Sequence, residues 1–118
     1  MLLPPAIIVH GLDAAVGALR PGRAVTLLSA PGAGLYGGCL WWRELVAEAR
    51  AAYPATPCTD VLDCADGTTQ ALAALRVGVC RLVVWPSAPG RETVVAIAGG
   101  QGGFVLAKAP TVIASQWR

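Results

Sequence analysis

One histidine, one lysine and one phenylalanine occur in the 118 residues, and charged side chains make up only 14% of the chain. A lone histidine, His10, cannot complete a usual Cys/His zinc set, so no metal site is expected. It also precedes every serine, and no G-x-S-x-G is present, which argues against a hydrolase. The four cysteines, Cys39, Cys58, Cys64 and Cys80, include no C-x-x-C pair and read as reduced, structural thiols. Basic residues are scattered and the net charge is only +2, so no nucleic-acid patch is supported. No apolar run approaches the ~20 residues of a membrane helix. The start, Met1-Leu-Leu-Pro-Pro5, has neither the basic residue nor the unbroken apolar run of a signal peptide. These absences make a cytoplasmic protein without membrane contact the expectation.

What the chain has in excess is apolar residue, 55% of it against about 45–50% in an ordinary soluble domain. That suits a sheet covered on both faces, whose strands read as continuous apolar runs. It also favours a homo-oligomer, most simply a dimer. Short β-branched runs alternate with helical stretches: strands over 6–9, 23–29, 59–63, 81–85 and 104–107, and helices over 14–19, 39–52 and 67–77. Asp13 and Asp66 are placed to cap helices, and Gly78 to stop one. Residues 89–98 suit a helix better than one arm of a hairpin with 104–109, because a helix continues the β/α alternation. Residues 110–118 read as a tail. The expected fold is one α/β domain over 1–118, three-layered and flavodoxin-like or Rossmann-like. It would have about five mainly parallel strands and helices on both faces.

In the helix over 39–52, Trp42, Leu45, Val46 and Ala49 form one apolar stripe. Trp41 leaves the helix about 100° from Trp42, so one of the two must sit at the edge. Trp41 and Trp117 are therefore candidate interface residues.

Gly32-Ala-Gly-Leu-Tyr-Gly37 matches G-x-G-x-x-G after a strand. In dinucleotide sites such glycines make a tight turn and let backbone approach a pyrophosphate, with an acid further on for the ribose. Asp60 and Asp63 follow at about that spacing. The same glycines equally serve a turn of small residues with positive φ. No cofactor is required, although a nucleotide or phosphate metabolite would sit here, against Ser29, Gly32, Gly34, Tyr36 and Gly37.

A parallel sheet brings a second set to the same edge: His10, Ser29, Asp63, Asp66, Ser87 and Lys108 all follow strands. Asp63, a hydroxyl and Lys108 together can hold a phosphoryl group, with lysine neutralising its charge. Ordinary caps and turns account for the same residues.

Residues 91–108, Arg-Glu-Thr-Val-Val-Ala-Ile-Ala-Gly-Gly-Gln-Gly-Gly-Phe-Val-Leu-Ala-Lys, resemble the fourth helix and fifth strand of response-regulator receiver domains. Ser87 and Lys108 match the spacing of that family's Ser/Thr and lysine, and Asp63 matches its phospho-accepting aspartate. His10-Gly11 stands where the family's acidic pair lies, so the resemblance implies a degenerate receiver that does not take phosphate. The expectation is a small non-catalytic binding or regulatory module, a homodimer. The alternative is an enzyme or sensor for a small anionic metabolite at the glycine-rich loop.

Overall fold

The computed structural model describes residues 2–113; Trp117 lies outside them. The chain runs β1 (Ala6–Val9), α1 (Leu12–Leu19), β2 (Val25–Ser29), α2 (Ala33–Tyr36), α3 (Cys39–Ala52), β3 (Cys58–Asp63), α4 (Thr68–Arg76), β4 (Arg81–Val83), α5 (Arg91–Gly100) and β5 (Phe104–Leu106). All five strands are parallel, as expected for the α/β class, in the order β1-β2-β3-β4-β5. Among the described residues no helix is long and apolar enough to cross a membrane.

Sequential order has a consequence. Crossovers of one hand between successive neighbours carry every helix to the same face of the sheet. Accordingly Ala18 and Leu19 of α1, Trp42 and Val46 of α3, Ala71 and Leu75 of α4 and Val94 of α5 share one buried cluster. The strand residues in that cluster include Val9, Leu27, Leu62 and Leu82. The other face has its own cluster, Leu28, Val61 and Val83, packed with Ile8, Phe104 and Leu106.

That second face is covered by non-helical chain, in place of the helices expected there. Val112 forms a parallel bridge with Ala6, and the Ile113 amide donates to the Ala6 carbonyl. The Pro5 carbonyl accepts from Thr26 of β2, so Val112 must lie on the opposite edge of β1. In a flat sheet that position is five strand spacings from β5, about 24 Å. The six residue steps from Leu106 to Val112 reach at most about 22 Å. The sheet is therefore curled toward its helix-free face, with residues 107–111 as a strap across the opening. Pro4 closes the other side, its carbonyl accepting from Thr26 Oγ1 at 2.8 Å. The strap is the physical reason residues 110–113 are not the free tail that composition suggested.

Two caps also differ from expectation. Helix α1 starts at Leu12, with Gly11 as its N-cap and Asp13 inside its first turn, and α4 starts after Gly67 without a side-chain cap. Asp66 instead supplies its backbone carbonyl to Thr68. Elsewhere the reading is matched: α5 is a helix, not a hairpin arm, and Gly78 adopts φ +84° after α4.

Candidate functional site

Parallel strands bring their carboxyl ends to one rim, where β2, β3 and β4 meet the loops that follow them. Ser29 and Asp63 lie at adjacent strand ends and both are buried. Ser29 Oγ accepts from the Asp63 amide at 2.9 Å and donates to the Ala30 carbonyl. Asp63 Oδ1 accepts from the Ala65 amide at 2.9 Å, which holds Ala65 at φ +50°. The pair is brought together as the parallel topology requires, but its hydrogen bonds point inward, locking the turn between β3 and α4.

The glycines of the loop each have a structural occupation. Gly32 takes φ +69° before α2. A Cβ on Gly34 would stand 2.8 Å from Cys64 Sγ and 3.1 Å from the Asp63 carbonyl, so α2 rests directly on the end of β3. Gly37 passes the Trp41 ring, where a Cβ would meet it at 3.1 Å. The amides of Ala33, Leu35 and Gly37 donate to Ala30, Gly32 and Ala33 carbonyls. The helix that the motif opens is only four residues long, and α3 starts afresh after Gly38 at φ +84°.

Asp66 and Ser87 are exposed on the rim. Lys108 is not with them. It lies on the strap and lines a cleft with Leu2, Leu3, Pro4 and Pro5, beside the amino end of β1. Among the described residues no ion pair within 4.0 Å joins it to a carboxylate. The strap thus turns the lysine toward the amino-terminal segment, and among the described residues no hydrogen bond or ion pair joins it to Asp63.

Beside Asp66 and Ser87 the rim shows a large apolar surface to solvent. Leu35, Tyr36, Leu40, Trp41 and Trp85 are 38–74% exposed, with Tyr36 the most open. Trp42 is fully buried while Trp41 lies tilted beside it at 5.9 Å between centroids. No charged residue occurs from Ala24 to Trp42. Cys64, beneath the loop, is no nucleophile at neutral pH: burial, then the Asp63 charge, then Cys39 push its thiol up to about 12.

A second polar cluster leaves almost no trace in the sequence. Asp60, on β3, is buried and accepts from Arg50 of α3 at 2.8 Å and Arg81 of β4 at 2.7 Å. Arg81 Nε also donates to the Asp60 carbonyl at 3.2 Å, where β3 has not yet paired with β4. The one local signal is an aspartate inside an apolar strand, a position that demands a partner. Burial alone would raise the Asp60 pKa; the charge and hydrogen bond of Arg81, then those of Arg50, more than reverse this and hold it below the ordinary value. A depressed folded pKa stabilises above the unfolded value, about 3.9, and that stability is lost as pH falls through the folded value. Asp60→Asn is expected to lower stability at pH 7 by about 2 kcal/mol, less than a fully buried pair because both arginines reach solvent. Urea melts of both proteins at pH 7 and pH 3 check this: the difference between them should shrink in acid.

No protein-family model matches the chain, and no curated protein is significantly similar to it. What the rim can do rests on its own chemistry: it offers aromatic and aliphatic surface next to Asp66 and Ser87, backed by Ser29 and Asp63, which are already satisfied within the fold.

Proposed function

We propose that the protein is a non-catalytic binding module that acts as a homodimer, joined through the apolar loops at the carboxyl rim. One observation carries this reading. Ser29 and Asp63 are turned inward, while Leu35, Tyr36, Leu40, Trp41 and Trp85 are left in water beside Asp66 and Ser87. Aromatic enrichment and depletion of charge mark the cores of interfaces. The segment from Ala24 to Trp42, which supplies most of this surface, brings no charge to repel its own copy.

The receiver-like resemblance fits this reading in its degenerate form. The phospho-acceptor position, Asp63, is buried and caps the Ala65 amide, and Lys108 lines a cleft with the amino-terminal segment. An anionic metabolite at the Ser29–Gly38 loop is the weaker reading, because three of the loop's amides already serve its own carbonyls.

Sedimentation equilibrium of the protein at micromolar concentration is expected to give twice the 12.1 kDa chain mass. Tyr36→Glu combined with Trp41→Glu should shift the population to monomer while the far-UV circular dichroism stays unchanged, since both side chains are exposed. A wild-type monomer throughout the micromolar range would remove the proposal.

A further inference from the structure

A second concave feature lies apart from the apolar loops of the rim. It has a volume of about 560 Å³ and lies where the strap passes the amino-terminal segment. Ligand sites commonly fall within roughly 300–1,000 Å³. One wall is Leu2, Leu3, Pro4 and Pro5; the other is Leu106, Pro110 and the alanines of the strap. Among the described residues Lys108 is the only charged one lining it, and it is the only lysine in the chain. The two walls are tied together beside it by the Ala6–Val112 bridge, and the hydrogen bond from Thr26 holds Pro4 to β2.

An apolar trough whose described lining carries one ammonium group and no carboxylate selects by charge and by length. A cation is repelled, and a small anion leaves the leucines and prolines uncovered. A chain with an anionic end satisfies both features. We propose that this cleft binds the free carboxylate form of a single unbranched alkyl chain, its head on Lys108 Nζ and its tail against Leu2, Leu3 and Leu106. The site is separate from the rim, so the proposal does not rest on the dimer reading. Prolines on both walls, Pro4, Pro5 and Pro110, restrict the backbone and reduce the ordering that binding costs.

Isothermal titration of the full chain with octanoate, decanoate and dodecanoate, each below its micellar concentration, tests this. One site per chain is expected, tightening by up to about fourfold for each added methylene that the cleft buries. Lys108→Met should weaken decanoate about threefold to fivefold, the size of an exposed charge contact, and leave neutral decanol unchanged. Leu3→Asp should abolish binding of both. Lys108 is exposed and Leu3 precedes β1, so both variants should keep the wild-type circular dichroism. The proposal is overturned if dodecanoate gives no saturable heat up to millimolar concentration. It is equally overturned if decyltrimethylammonium binds as well as decanoate, or if Lys108→Met leaves the decanoate affinity unchanged. Co-flotation with phosphatidylglycerol vesicles without binding of the free carboxylates would assign the cleft to a membrane surface instead and also defeat it.

Discussion

Trp42→Ala is expected to destabilise the protein by about 3–5 kcal/mol, whereas Trp41→Ala, one residue earlier, should cost less than about 1 kcal/mol. Trp42 is fully buried and belongs to the cluster that joins α3 to the sheet. Removing it leaves a cavity the size of an indole among rigid neighbours, because helices and strands from along the chain converge on the same cluster. The usual cost is trimmed by one feature: the Trp42 Nε1 hydrogen is buried without an acceptor. A buried donor left unpaired already costs about 1–3 kcal/mol, and alanine removes that penalty along with the packing. Trp42→Phe separates the two contributions. It keeps most of the ring and deletes the orphan donor, so its cost should lie well below that of alanine. Urea denaturation followed by far-UV circular dichroism measures all three variants on one scale; equal midpoints for Trp41→Ala and Trp42→Ala would contradict the burial pattern.

That contrast is legible in the sequence itself, because neighbours on a helix diverge by about 100° and only one can face a core. Local patterns of this kind serve well throughout the chain. The spans of β1 and α3 are those the sequence predicts, and the choice of helix for residues 91–100 follows from simple alternation. What stays hidden depends on partners far away in the chain. Asp60 meets Arg81 across 21 residues and leaves only an aspartate in an apolar strand as its mark; Val112 meets Ala6 across almost the whole length and leaves none. The strap matters most for function. Strand ends alone group Lys108 with Asp63, whereas in the fold Asp63 bonds the Ala65 amide and Lys108 lines a cleft with residues 2–5. The glycine motif illustrates a third limit. Its pattern specifies close backbone approach, but not whether the approaching group is a ligand or, as at Gly34, the end of β3.

Gly103→Ala should cost about 3 kcal/mol or more, while Gly99→Ala, four residues earlier, should be neutral or stabilise by up to about 1 kcal/mol. A Cβ on Gly103 would lie 1.9 Å from the Cys80 carbonyl oxygen and 2.6 Å from its carbon. The obstructing atoms are backbone, so no rotamer change relieves the clash. That carbonyl accepts from the Phe104 amide at 3.0 Å, the hydrogen bond at which β5 joins β4. Relief therefore means moving β5, a three-residue edge strand with little pairing to spare. The displacement would spread along the strap, which starts at the end of β5 and holds the helix-free face closed. Gly99 sits on the exposed face of α5 with nothing within 4 Å of its Cβ position, so alanine there only reduces the freedom of the unfolded chain. Both glycines belong to the same run, Gly99-Gly-Gln-Gly-Gly103, and composition cannot tell them apart. Denaturation midpoints for the two alanine variants will: a stable Gly103→Ala protein would mean that β5 does not pass Cys80 as closely as this packing requires. Loss of decanoate binding in Gly103→Ala, with α-helical circular dichroism retained, is the expected signature of a strap that has come away with its strand.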